Sequence, residues 1–137
     1  MNRTLLILPL IIILSSIGYA FHMIGKSSYS EEIRNPEYAV SATKLFNEFE
    51  LIEATANSKY VNKMIAVTGI VREIKWTLKG DVCVKFETDN SLFCVTCKLA
   101  AENKNAIQQI HQGQEISLTG TCKGMLMDVF LTNCTLQ

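Results

Sequence analysis

Apolar residues run almost unbroken from Leu5 to Ile24, where the chain reads LLILPLIIILSSIGYAFHMI, interrupted at Pro9, Ser15, Ser16, Gly18 and His22. At the helical rise of about 1.5 Å per residue this stretch extends roughly 30 Å, the depth of a bilayer's hydrocarbon layer. Two readings share it. Residues 1–25 form a signal anchor and transmembrane helix, or Arg3 opens a leader that is cut after the small-x-small triplet Gly18-Tyr19-Ala20. Apolar residues continue past that triplet through Phe21, Met23 and Ile24, which favours the anchor. Arg3 and the terminal amine precede the apolar run, and positive charge stays cytoplasmic. The expectation is a single-pass membrane protein with its C-terminal part on the periplasmic side, or a secreted or periplasmic one if the leader is cleaved near Ala20.

Residues 26–40 are polar and carry Ser, Glu, Asn and Pro; they read as a tether. From Ser41 the spacing becomes helical. Leu45, Phe46, Phe49, Ile52 and Ala56 recur at intervals of three and four, the mark of an amphipathic helix. Ser41 is placed to cap it with its side-chain oxygen, and Asn57-Ser58 to end it. Residues 41–137 then form one domain, helix plus barrel.

At Met64 the period drops to two. Ile65, Val67, Gly69 and Val71 alternate with Ala66, Thr68, Ile70 and Arg72 in a strand running to Trp76, with Gly69 placed to bend it. Leu78-Lys79-Gly80-Asp81 makes a turn, Val82, Val84 and Phe86 form a second inward set, and Asp89-Asn90-Ser91 turns again. Phe93, Val95, Cys97 and Leu99 are the inward set of a third strand. Residues 100–112 predict a short helix with Ala106, Ile107 and Ile110 as its buried edge, stopped by Gly113. Glu115–Lys123 and Val129–Leu136 are the fourth and fifth strands, around a loop from Gly124 to Asp128. Three strands, a helix and two strands describe a mainly β chain, a five-stranded Greek-key barrel of the OB type. A ferredoxin-like fold needs a helix between the first two strands, and the turn at Lys79-Gly80-Asp81 has no room for one.

Composition narrows the function. Thirteen Lys and Arg balance thirteen Asp and Glu, and hydrophobic residues make up 48% of the chain, which excludes an acidic disordered chain. Residues 26–58 balance at −3 and residues 59–137 at +2, a weak footprint for a polyanion binder. The two histidines, His22 and His111, form no arrangement with a nucleophile, so no catalytic residues are assigned and the chain is expected not to be an enzyme. Five cysteines stand at 83, 94, 97, 122 and 134. Cys94 and Cys97 have CxxC spacing, but three residues apart on a strand they face opposite sides, which disfavours a metal site. No metal and no cofactor are expected. In an oxidising exterior one disulfide is favoured. Parallel third and fifth strands place late Cys97 beside late Cys134 as the first choice, with pairs using Cys122 or Cys83 as alternatives, and the odd total leaves at least one thiol unpaired.

Several blocks carry a family resemblance. They are Ala56–Lys63 with Ile65–Gly69 after it, Val95-Thr96-Cys97, and the closing run Gly120–Val129 with Leu131 and Cys134. With the Leu45, Phe46 and Phe49 helix before the barrel, these resemble the tRNA_anti-like OB-fold family from about residue 38 to the C-terminus. The resemblance implies the barrel, and an N-terminal membrane anchor or lipoprotein signal of the kind similar members carry. It leaves the ligand open.

An OB barrel binds across the face of its second and third strands, between the loops joining strands one and two and strands four and five. The candidate binding residues there are Arg72, Lys75 and Trp76 on the first strand, Lys79 in its loop, and Lys85 and Lys98 on the next two. One indole among several cations is the outline of a single-stranded nucleic-acid platform, or of one for an anionic oligosaccharide. The alternative is a solvated face, with Trp76 closing the barrel mouth. Met125, Leu126 and Met127 offer a surface for an envelope protein partner, unless the preceding helix covers them. Lys59, Tyr60 and Lys63 join helix to barrel. The expectation is a non-enzymatic, extracytoplasmic binding or interaction module held to the membrane by residues 5–24.

Overall fold

Why the alternating segments close on themselves is visible in a computed structural model, which describes residues 35–137. The apolar run, its cleavage triplet and the tether up to residue 34 lie outside the described residues. Among the described residues, no helix is long and apolar enough to cross a membrane. The elements are β1 (Tyr38–Ser41), α1 (Ala42–Leu51), α2 (Glu53–Tyr60), β2 (Met64–Trp76), β3 (Val82–Phe86), β4 (Val95–Leu99), a 3₁₀ helix (Ala101–Gln109), β5 (Glu115–Met125) and β6 (Val129–Leu136).

β2 is long enough to serve two neighbours. Its first half, Met64–Ile70, pairs antiparallel with Thr121–Glu115 of β5, and its second half pairs with β3. β3 then pairs with β4, β4 runs parallel to β6, and β6 returns to β5, which closes the barrel. Inward side chains at alternate positions (Ile65, Val67, Val71, Val82, Val84, Phe86, Val95, Cys97) are fully buried, as the two-residue period requires. The order and the closure are those of an OB fold.

Local departures from the sequence reading have physical causes. Tyr38–Ser41, which lies in the segment read as tether except for Ser41, is a strand parallel to β2, pairing Tyr38 with Ile65 through Ser41 with Thr68. The predicted single helix is two. Ser41 caps α1 by accepting from the Lys44 N–H at 3.2 Å, but Ile52 sits at φ −144°, ψ 82° and breaks the run. Leu51 and Ile52 are 80% and 61% exposed, while the kink aims Ala56 and Tyr60 of α2 inward. α2 also runs past Asn57-Ser58 to Tyr60. The β2–β3 register shifts between Val71 and Glu73, two residues beyond Gly69. Gly69 permits close approach, since a Cβ there would lie 2.9 Å from the Ala42 Cβ and 3.1 Å from the Phe86 ring.

α1 buries Leu45, Phe46 and Phe49 on the barrel. Its Glu48 accepts from the Tyr60 hydroxyl and from Lys59 Nζ, both at 2.9 Å, and the Lys59 ammonium lies 4.7 Å from the Tyr60 ring centre. The hydrogen bond from Lys59 holds the Glu48 carboxyl below its ordinary range, against burial and with help from Tyr60. This knot joins α1 to α2, whereas the sequence reading has Lys59 and Tyr60 joining helix to barrel.

All five thiols are free, including Cys97 and Cys134. Asn133 takes a left-handed φ of 52°, and the β4–β6 register shifts beside it. The shift sets Leu131 opposite Cys97 and moves Cys134 on to face Leu99. No disulfide joins Cys97 and Cys134, and burial pushes the Cys97 thiol up, with the nearby Cys134 thiol adding to the shift.

Candidate functional site

The barrel's outer surface over β2, β3, β4 and β6 carries polar side chains in two rows set by register. One row is Lys75, Cys83 and Lys98; the other is Glu73, Lys85, Thr96 and Phe130. The loop 77–81 flanks the first row, and the β5–β6 loop, 126–128, flanks the second.

In the first row every cation has found a carboxylate. Lys75 Nζ lies 3.4 Å from Glu73 Oε2, and Lys98 Nζ lies 2.8 Å from Asp81 Oδ2. Lys104, from the 3₁₀ helix, reaches the other oxygen of Asp81 at 3.8 Å. The hydrogen bond from Lys98 holds the Asp81 carboxyl below its ordinary range, with Lys104 and Lys79 adding to it against some desolvation. The loop is a compact turn: Asp81 N–H donates to Thr77 Oγ1 at 3.1 Å, Thr77 N–H donates to the Asp81 carbonyl at 2.8 Å, and Gly80 takes φ +77°. Trp76 stands where β2 runs into this turn, 61% exposed. It pairs with buried Val82 and so stands in the inward row, at the end of the barrel. Lys79 is exposed and has no carboxylate partner among the described residues.

The second row ends in a denser knot. Asp128 accepts from the Cys94 N–H at 3.0 Å, the Thr96 hydroxyl at 2.9 Å and the Cys94 thiol at 3.2 Å, and Lys85 Nζ lies 3.6 Å away. Burial opposes the charge on Asp128. The Cys94 N–H and thiol, the Thr96 hydroxyl and the Lys85 ammonium outweigh it and hold the carboxyl below the usual aspartate range. Cys94 thus faces outward to Asp128 while Cys97 lies in the core, dividing the CxxC pair between faces as strand geometry demands.

Beside this knot opens a groove of about 770 Å³. Its walls are Leu92 and Phe93, Met125 to Met127, Phe130 with Lys85, Lys123 on β5, and Glu53 and Asn57 of α2. Leu126 is 99% and Met127 67% exposed, so the helices do not cover this loop. Of the residues singled out from sequence, Lys75, Trp76, Lys79 and Lys98 gather around the 77–81 loop, and Lys85 lines the groove. Arg72 is diverted, donating from Nη2 to the Ser91 carbonyl and bracing the 90s loop. Lys104, Asp81 and the aromatic pair Phe93 and Phe130 were not anticipated. Phe130 had a signal in its outward position between buried Val129 and Leu131; Lys104, 23 residues beyond Asp81, had none.

The family profile described as tRNA_anti-like matches residues 1–136. Among solved structures, a Klebsiella pneumoniae protein described as a "putative nucleic acid-binding lipoprotein" superposes with a TM-score of 0.59 at 17% identity, covering 72% of this chain and 90% of its own. At that identity the likeness is one of fold. The yeast Stn1 and Ten1 structure matches at a TM-score of 0.41 and 14% identity, over 85% of this chain and 69% of that one, too distant to bear an argument. No curated protein matches the chain.

Proposed function

The chain belongs to the tRNA_anti-like family, and on that premise we propose that it is a non-enzymatic binding module that takes a single-stranded nucleic acid across the outer face of β3 and β4. Residues 5–24 hold it at the membrane, with everything after Ile24 outside the cytoplasm. One observation carries the reading: a row of lysines on the outer face, Lys75 and Lys98 with Lys104 beside them, runs up to a loop that carries Lys79 and is entered from Trp76, an exposed indole at the barrel's end. Stacking on an aromatic contributes about 1–3 kcal/mol per base, and neighbouring ammonium groups hold phosphates. The Klebsiella pneumoniae neighbour, by its description both a lipoprotein and nucleic acid-binding, supports the same pairing of placement and ligand. Residues 35–137 carry ten Lys and Arg against eleven Asp and Glu, so attraction comes from this cluster and not from the net charge. Binding should be of moderate strength and should weaken as salt rises.

The test uses the full chain in non-ionic detergent micelles. Trp76 is the only tryptophan, so its emission reports events at the 77–81 loop beside the face. Added oligothymidylate should quench it at low salt, and roughly tenfold more salt should abolish the effect. Emission unmoved at low salt refutes the reading. A second reading, docking of an envelope protein, is favoured by the bare Leu126 and Met127. A photocrosslinker at position 127 should then capture one discrete protein in intact cells, while oligothymidylate leaves Trp76 unchanged.

A further inference from the structure

Asp81 occupies the centre of the basic cluster in an unusual way. Its two oxygens are divided between two ammonium groups from different elements, Oδ2 to Lys98 at 2.8 Å and Oδ1 to Lys104 at 3.8 Å. Two cations on two oxygens of one anion is how a pair of lysines grips the non-bridging oxygens of a phosphate. We infer that Lys98 and Lys104, with Lys79, form a phosphate subsite that Asp81 fills from within, so that a ligand phosphate binds by taking the place of the Asp81 carboxylate. This rests on the reading of the face as a nucleic-acid platform and identifies which lysines hold the backbone.

The exchange is physically easy. The Lys98 and Lys104 side chains are 40% and 30% exposed and that of Asp81 27%, so each ion pair is weakened by water and contributes little to stability. The loop keeps its shape without the carboxylate, because its turn is closed by Asp81 main-chain groups with Thr77. Rotation of one short side chain therefore vacates the subsite while the backbone stays in place. Lys104 lies on the 3₁₀ helix, outside the two loops that frame an OB ligand face, and the subsite extends the platform to that helix.

Asp81→Asn is nearly isosteric and keeps the turn. In the full chain in non-ionic detergent, it should bind fluorescein-labelled oligothymidylate roughly two- to fivefold more tightly, because one negative charge is removed beside the phosphate. The slope of log affinity against log salt should steepen by about one, since Lys98 no longer arrives already neutralised. Lys104→Ala should weaken binding by a similar factor, with an unchanged unfolding midpoint. Unchanged or weaker binding by Asp81→Asn, with wild-type binding intact, overturns the inference and leaves the platform standing. If neither protein binds the oligonucleotide, amide shifts at Lys98 and Lys104 on adding tripolyphosphate, larger in Asp81→Asn, retain the subsite while the nucleic-acid reading falls. No shifts there overturn both. A sulfated oligosaccharide that binds with the same Asp81 sensitivity, when the oligonucleotide does not, reassigns the polymer and keeps the subsite.

Discussion

Asp128→Asn perturbs the most heavily bonded carboxylate on the face. Asp128 accepts three hydrogen bonds within 3.2 Å, two of them from Cys94 and one from Thr96, with Lys85 at 3.6 Å, and its side chain is 24% exposed. Hydrogen bonds to a charged acceptor contribute about 1.5–3 kcal/mol each, against about 0.5–1.5 for neutral ones. Asparagine keeps one oxygen for the Cys94 N–H but turns an amino group toward Thr96, the Cys94 thiol and Lys85. The net loss should be about 1–2 kcal/mol at neutral pH. Asp128→Ala strands a buried main-chain N–H as well and should lose about 2–4 kcal/mol.

The pH profile isolates the charge. The folded carboxyl lies below its unfolded value, so its contribution is complete above the unfolded aspartate pKa of about 3.9 and disappears as pH falls through the lower folded value. Urea unfolding of the full chain in micelles, followed by far-ultraviolet circular dichroism, should show the wild type losing its advantage over Asp128→Asn below about pH 4. Equal stabilities at pH 7, or a difference that persists unchanged at pH 2.5 to 3 (roughly the bottom of the carboxylate range), would refute the account of this knot as a charge held by four donors. Because Asp128 also ends the loop bearing Leu126 and Met127, the alanine variant should disturb any partner at the groove while leaving oligonucleotide binding beside Lys98 intact.

Other expectations test the scaffold. Gly120→Ala places a Cβ 2.5 Å from Cys134 Sγ and 2.9 Å from the Thr132 carbonyl; since the carbonyl cannot rotate away, the loss in urea unfolding should be about 2–3 kcal/mol, and Cys134→Ala should restore only part of it. Phe46→Ala empties a fully buried site between α1 and the barrel and should cost about 3–5 kcal/mol by the same measurement. Trp76→Ala, at an exposed position, should shift stability by less than about 0.5 kcal/mol yet weaken oligothymidylate binding, measured by anisotropy. Iodoacetamide should label half-buried Cys83 first in the native protein and fully buried Cys97 last, read by peptide mass spectrometry.

The strands were legible because closure buries one side of each, and burial imposes the two-residue period that Val82, Val84 and Phe86 display. What escaped depends on single backbone angles or on distant partners. Asparagine tolerates the left-handed region, but the run VFLTNCTL does not show that Asn133 takes it, and with the register shift beside it Cys134 pairs with Leu99 and not with Cys97. The break at Ile52 was hidden because its residues keep helical spacing; only the knot at Glu48 and Tyr60 shows why α2 turns. Tyr38–Ser41 is too short to display a period and becomes a strand because β2 offers it an edge. The site was half legible. Lysines can be read off a strand, but their carboxylates come from a loop at Asp81 and a hairpin at Asp128, and the groove draws on residues from 53 to 130.

The pairing of Lys75, Lys98 and Lys104 has a consequence for selectivity. Attraction at a distance follows net charge and fades beyond a Debye length of about 8–10 Å, so residues 35–137 at −1 do not gather polyanions indiscriminately. Binding energy is then set at contact, where a ligand must exchange its own anions for Asp81 and Glu73 one by one, each exchange nearly neutral in energy. A lone phosphate gains almost nothing from such an exchange. A polymer gains from several exchanges at once and from a base stacked on Trp76, which a rigid duplex with its bases paired inward does not offer. The face should therefore prefer flexible single strands over duplex of equal charge, and Asp81→Asn should narrow that preference by raising affinity for both. A duplex that binds the wild-type protein as well as a single strand of the same length would show that charge alone, and not the indole, decides what this barrel holds.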